Sequence, residues 1–191
     1  MTTQATLFDE TPVRADNRFL FFALMPDGQT AHEISELTGT LQGHHHLGGT
    51  PRPTDHLHMT LNSLGPWSDR LIRAAERIGI ATGGQVAPFE VCLEQAAFWS
   101  SNGVLVLVEG EDGSPALKAF QRRLCLEIAR ELGPEAVDPQ FAPHVTMLYG
   151  RRAMPQTKVP PIRWIASEFV LICSHRGDTW YEVMGRWPLL G

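Results

Sequence analysis

The sequence predicts an α+β fold, and three observations carry that prediction. Short, alternating apolar runs recur along the chain. Stretches of helical periodicity separate them. No strand–turn–helix unit carries a glycine fingerprint, which argues against a doubly wound sheet. The 191 residues suit one domain or two small lobes sharing a core.

Residues 1–17 read as a loose polar leader, with Asp9, Glu10 and Asp16 ahead of the first apolar run; residues 18–191 form the single domain. Arg18–Leu24 (RFLFFAL) is rich in aromatic residues and predicts a strand, turned by Pro26-Asp27-Gly28. Ile34, Leu37 and Leu41 share one face and predict a helix over 30–42. Three glycines, two prolines and no periodicity make Gly43–Asp55 a loop. His56–Gly65 (HLHMTLNSLG) alternates and predicts the second strand. Asp69–Gly79 predicts a helix capped by Ser68 and ended by glycine.

Phe89–Trp99 and Gly103–Gly110 predict a hairpin turned at Ser101-Asn102-Gly103. Ser114–Gly133 is the longest predicted helix, with Leu117, Phe120, Leu124, Ile128 and Leu132 on one face. Phe141–Gly150 (FAPHVTMLYG) predicts a strand. Ile165–Ser174 and Trp180–Leu189 predict a closing antiparallel pair, linked by His-Arg-Gly-Asp. A weak internal echo runs through this order. LHMTL and PHVTM each follow a helix and a loop, as two lobes of similar build would require.

Composition narrows the function. Hydrophobic residues make up 43%, enough for a substantial core, and the net charge is −5. No overall positive field advertises a long nucleic-acid duplex, although a small phosphate ligand needs only a local positive cleft. Three widely spaced cysteines, Cys92, Cys125 and Cys173, form no disulfide framework and no metal pair. Cys92 and Cys173 lie in apolar runs and read as packed thiols. No signal-like or membrane-spanning stretch is present, so a cytoplasmic location is expected.

Chance predicts about one His-x-Ser/Thr unit in a chain of this composition, and the sequence has two, His58/Thr60 and His144/Thr146. Their context raises them above the count. Both lie in strand runs with apolar residues at alternate positions, Met59 and Leu61 in one, Val145 and Met147 in the other. Strand period two then puts an imidazole and a hydroxyl about 7 Å apart on one face. Two such units across a cleft could work on a phosphodiester. A neutral imidazole takes the proton of an attacking water, an imidazolium protonates the leaving oxygen, and the hydroxyls donate to the non-bridging oxygens. The competing reading is that both histidines are locally hydrogen-bonded sheet residues.

His44, His45 and His46 sit in a glycine-rich loop without a spaced set of further ligands, so no metal site is expected. His56 shares the His58 face and borders the cleft or caps the strand. His175 reads as a turn residue at the surface, and His32 as the solvent face of a helix.

In RFLFFAL, HLHMTLNSLG, the FEVCLEQAAFW–VLVLVEG pair, FAPHVTMLYG and the closing FVLICS…WYEVMGRWPL, the chain resembles the two-histidine phosphoesterases. It is most similar there to the RNA 2',3'-cyclic phosphodiesterases, also called 2'-5' RNA ligases. The resemblance spans residues 18–190 and implies a bilobal α+β fold. Antiparallel sheets with outer helices would be arranged with pseudo-twofold symmetry around a central cleft. It implies that His58 and His144 are catalytic, with His58 as proton donor and His144 as acceptor. Thr60 and Thr146 would hold the phosphate.

The chain also departs from the family. A tryptophan often precedes the first motif, where this sequence has Gly49–Thr54. An arginine often follows the second histidine, where this sequence has Tyr149. Arg52, Arg151 and Arg152 are candidates to supply the charge from shifted positions, and Trp99 and Tyr149 are candidates to stack on a base.

The expected activity is opening of an RNA-terminal 2',3'-cyclic phosphate to a 2'-phosphate. No cofactor is expected, the protein is expected to be monomeric, and 2'-5' ligation, which some members of the family carry out, is a candidate side activity. A cyclic phosphodiesterase for a small nucleotide, or a non-catalytic nucleotide-binding module, are the alternatives.

Overall fold

The computed structural model describes residues 17–111, 113–150, 152–175 and 180–191. The predicted leader, apart from Asn17, lies outside the described residues, as do Arg151 and most of the turn between the last two strands. In chain order the elements are β1 (Arg18–Leu24), α1 (Gly28–His44), β2 (Gly49–Pro51), β3 (Met59–Pro66) and α2 (Asp69–Gly83). They continue as β4 (Phe89–Trp99), β5 (Val104–Val108), α3 (Pro115–Leu132), β6 (His144–Gly150), β7 (Thr157–Ala166), β8 (Glu168–His175) and β9 (Trp180–Pro188).

All the pairings are antiparallel, and the nine strands form one sheet in the order β7-β4-β5-β6-β3-β1-β8-β9, with β2 paired to β6. That order is symmetric about its middle. β3 and β6 are central, and each is flanked by three strands on its own side. The two halves meet at one residue pair, Met59 opposite Val145.

The three helices cover one face. Ile34 and Leu41 of α1, Ala75 and Ile78 of α2, and Phe120, Leu124 and Ile128 of α3 pack with Met59, Leu61, Val145 and Met147 in the main core. Each fully buried aliphatic or aromatic side chain contributes roughly 1.5–3 kcal/mol, so this layer holds the molecule together. The other face carries two smaller apolar clusters, one per half: Phe21, Ala23, Val170 and Ile172, and Ala97, Val104 and Val106. No described helix packs into either.

Capping follows the expected chemistry. The Ser68 and Ser114 side chains accept from the backbone N–H groups of Leu71 and Leu117, and Asp27 accepts from Thr30. Gly133, at φ 100°, ends α3.

Several boundaries differ from expectation. β3 begins at Met59 and not at His56, because Thr54–His56 form a 3-10 turn, and β6 begins at His144 and not at Phe141. α1 extends to His44, and the predicted loop after it contains β2. The three residues of β2 have no periodicity to read, and their pairing with β6 is what makes them a strand. α2 runs past Gly79 to Gly83 because both glycines lie against β9. A Cβ at Gly79 would stand 2.0 Å from the Trp187 ring, so glycine there permits close helix–sheet contact. β7 was not expected, since Pro160 and Pro161 break the strand pattern. It is tolerated because β7 is an edge strand and its register shifts opposite Leu93 and Gln95. Ile165 belongs to β7, and β8 begins at Glu168.

Candidate active site

The seam between the halves positions the two histidines. Met59 and Val145 oppose each other and point into the core, both fully buried. Extending that antiparallel register by one residue each way sets His58 beside Thr146 and Thr60 beside His144. All four side chains are half-buried on the face without helices, while Met59, Leu61, Val145 and Met147 are buried on the other. The cross-strand neighbours agree: Thr60 pairs with Ala23, Thr146 with Val106 and His144 with Val108. The two His-x-Thr units therefore share one surface of one sheet. His58 immediately precedes β3, and His144 is the first residue of β6.

The two imidazoles are held alike. His58 Nδ1 lies 2.8 Å from the His56 carbonyl, and His144 Nδ1 lies 2.7 Å from the Ala142 carbonyl. A carbonyl can only accept, so Nδ1 carries the proton in each ring. Nε2 is left with its lone pair when the ring is neutral.

Aromatic walls fix the ring planes. Phe21 is 5.1 Å and Tyr181 is 5.4 Å from His58, and Trp99 is 4.5 Å from His144, centroid to centroid. Burial lowers the pKa of both. That of His58 falls from 6.5 to about 4, mainly by desolvation, with further lowering from the positive fields of Arg52, His144 and His56 against the raising effect of the His56 carbonyl. That of His144 falls through desolvation, against its bond to Ala142.

Arg52 comes to the site from the segment after β2. Its backbone N–H bonds the Met147 carbonyl at 2.9 Å. Its Nη1 donates to the Tyr149 hydroxyl at 2.8 Å, and its Nη2 to the Tyr181 hydroxyl at 2.5 Å. The guanidinium lies 5.4 Å from the Tyr149 ring and 5.2 Å from the Tyr181 ring. A guanidinium thus reaches the hydroxyl of Tyr149.

The remaining candidates divide. Trp99 is at the site, against His144. Its packing makes it a buttress for that ring. Arg152 is exposed, and its Nη1 donates to the His46 carbonyl at 3.4 Å. It lines a shallow groove beside Tyr149 with Gly48, Gly49, Asn102, Gly103 and Gly150. Arg151 lies outside the described residues.

His56 borders the site and packs its ring 4.8 Å from that of Tyr181. His175 is not a surface turn residue. It ends β8 half-buried, with Nε2 4.0 Å from Glu182. His44 ends α1, and His45 and His46 follow it. Among the described residues no cluster of three or more His, Cys, Asp or Glu forms a metal cradle. No described helix is long and apolar enough to cross a membrane.

Sequence reasoning missed Tyr181. It belongs to no motif, and it reaches the site because it pairs with Ser174 on β8, whose other neighbour is β1.

A symmetric antiparallel sheet presenting two His-x-Thr units on one face is the architecture of the two-histidine phosphoesterases. The chain belongs to the 2'-5' RNA ligase superfamily, whose sequence profile matches residues 26–178. Membership places it among enzymes of phosphodiester and ligase-type chemistry.

Solved structures share the fold. A phosphoesterase has a TM-score of 0.72 at 25% identity, covering 91% of this chain and 99% of the other. TT0787 of Thermus thermophilus has a TM-score of 0.72 at 23% identity, covering 91% and 98%. E. coli LigT complexed with 3'-AMP has a TM-score of 0.69 at 24% identity, covering 91% and 99%. A comparison with curated protein sequences gives no match.

Proposed function

We propose that this protein opens RNA-terminal 2',3'-cyclic phosphates to 2'-phosphates, with His58 and His144 as its acid–base pair. The observation that carries this reading is the pairing of Met59 with Val145. It brings two imidazoles and two hydroxyls to one uncovered sheet face. Water attacks phosphorus and forms a new P–O bond, and its proton passes to a neutral imidazole Nε2. The P–O3' bond breaks, and the other ring, protonated, gives its proton to O3'. Thr60 and Thr146 donate to the non-bridging oxygens as charge builds on them.

The resemblance gives the donor role to His58. That role fits a substrate-bound state, because an anionic phosphate against the ring offsets the burial that keeps it neutral in the free protein. LigT, similar in fold, has been crystallised with 3'-AMP, and a nucleotide phosphate ligand agrees with that. Rejoining RNA ends by a 2'-5' bond runs the same proton transfers in reverse.

The second reading is a cyclic phosphodiesterase for a small nucleotide. It is favoured by Tyr149, an exposed tyrosine at the rim of the site where the resemblance implies an arginine.

The test uses the full chain in excess chelator. It is given 2',3'-cyclic mononucleotides and short RNAs ending in the cyclic phosphate, and the products are separated as 2'- or 3'-phosphates. The expected result is metal-independent formation of 2'-phosphate, reduced roughly 10²–10⁴-fold in His58→Ala and in His144→Ala. Undiminished turnover in both variants would overturn the mechanism. A preference for mononucleotides would favour the second reading.

A further inference from the structure

We infer that Arg52, Tyr149 and Tyr181 together form an anion cradle beside His58, built to take a non-bridging oxygen of the substrate phosphate. The inference rests on the proposed reading that this sheet face receives a phosphate ester, and it names the groups that recognise its charge.

The first argument is an unbalanced charge. Arg52 is half-buried, and none of the ion pairs among the described residues includes it. The charged groups that act on neighbouring His58 are Arg52, His144 and His56, and no carboxylate is among them. A partly desolvated guanidinium without a carboxylate in ion-pair range among the described residues has its charge uncompensated until an anion arrives. Sites of this kind are arranged for ligands more often than for stability.

The second argument is the direction of the hydrogen bonds. Arg52 has five N–H donors, and the tyrosine hydroxyls accept two of them. Its Nε is buried with no partner. Each phenol oxygen that accepts from Arg52 keeps its own O–H proton free to donate elsewhere. The second protons of Nη1 and Nη2 and the two phenolic protons form a donor set with no acceptor among the described residues. A phosphate oxygen, with several lone pairs and negative charge, matches that set.

The third argument is rigidity. The two tyrosines come from opposite sides of the sheet, Tyr149 from β6 and Tyr181 from β9, and Arg52 bridges them. Tyr181 also packs on His56 and on His58. The guanidinium is therefore held before the ligand binds, and little side-chain freedom remains to be lost.

The experiment measures inorganic phosphate binding to the full chain by calorimetry, in parallel with thermal melting. Arg52→Gln is expected to weaken phosphate binding at least tenfold, and Arg52→Lys to recover part of that loss through charge alone. Tyr181→Phe and Tyr149→Phe keep both rings and should each weaken binding severalfold with little change in melting temperature. The KM for a 2',3'-cyclic nucleotide should rise with the phosphate dissociation constant, while kcat changes less.

A folded Arg52→Gln protein that binds phosphate like the wild type overturns the inference, and so does a wild type that binds none. If Arg52→Gln does not fold, the Tyr149→Phe/Tyr181→Phe double variant decides by the same criterion. Binding is read independently of turnover. An inactive wild type with Arg52-dependent phosphate binding therefore removes the proposed reaction and keeps the cradle.

Discussion

Met59 of β3 lies directly opposite Val145 of β6, and this one pair joins the two halves of the sheet. Its consequence is a crossed arrangement, in which each hydroxyl neighbours the other half's imidazole. Continued by one residue each way, that register sets Thr146 toward His58 and Thr60 toward His144. The site is therefore not two independent units facing each other. Each proton-transferring ring works next to a phosphate donor borne by the opposite strand.

Substituting either threonine by valine tests that arrangement. Valine keeps the β-branched shape on a strand and removes only the hydroxyl. A hydrogen bond to a charged group contributes about 1.5–3 kcal/mol, so kcat/KM should fall roughly 10- to 150-fold in Thr60→Val and in Thr146→Val alike. Both positions are half-buried, and melting temperatures should stay close to wild type. A variant with full kcat/KM on a 2',3'-cyclic nucleotide would remove that hydroxyl from the reaction.

Asn62 makes a different contribution. It is 1% exposed and lies on β3, two residues beyond Thr60. Its Nδ2 donates to the Ser63 carbonyl at 2.8 Å and to the Ala136 carbonyl at 2.9 Å, and its Oδ1 accepts from the Asp138 N–H at 2.8 Å. It thereby fastens the segment that leads into β6 and His144 onto the strand that carries Thr60. Asn62→Ala leaves buried groups unsatisfied and should cost about 2–4 kcal/mol in urea melts. A loss below about 1 kcal/mol would mean that the segment is held by other contacts.

Gly79→Ala sets two effects against each other. Alanine in a helix interior gains about 1 kcal/mol over glycine from propensity alone. Its Cβ would lie 2.0 Å from the Trp187 ring of β9, so α2 or the ring has to move. Overpacking of this kind typically costs about 1–3 kcal/mol, and the expected net result is a lower melting temperature. Combining it with Trp187→Leu should recover part of that loss. A more stable Gly79→Ala protein would show that the contact relaxes freely.

Much of this was legible in the sequence, because alternation and capping are local. His-x-Thr in an apolar strand places the hydroxyl with the imidazole whatever the rest of the fold does. Ser68 and Ser114 announced their helices through the backbone groups they cap. What was hidden depends on partners distant in the chain. β2 is a strand only because β6 is beside it. β7 carries two prolines that an edge position forgives. Gly79 looked like a stop and is instead a point of close contact, visible only once Trp187 is known to face it. Arg52 was one of several arginines until Tyr149 and Tyr181, both far from it in sequence, closed around it.

The two lowered histidine pKa values fix the direction of the pH response. Burial holds His58 down at about 4 and holds His144 below its ordinary 6.5. kcat/KM follows the fraction of free protein in which the pair holds one proton. Above the His144 value both rings are neutral and the acid is missing. Below about 4 both are charged and the base is missing. The profile of kcat/KM should be a bell with its maximum between about 4 and 6.5, falling toward neutral pH. The two limbs belong to the pair and do not say which ring plays which part.

Arg52→Gln removes one of the positive fields acting on His58, so the acid limb should move upward. Stability follows the same sign. Between 6.5 and about 4 the unfolded chain binds a proton that folded His58 does not. The stabilisation is therefore complete above 6.5 and is lost as pH falls through that window, by at most about 3 kcal/mol from this residue. Urea melts at pH 7, 5 and 4, compared with those of His58→Gln, should show that part of the slope disappear in the variant. An activity maximum above about pH 8, or an acid slope unchanged by His58→Gln, would contradict a buried pair held neutral in the free protein.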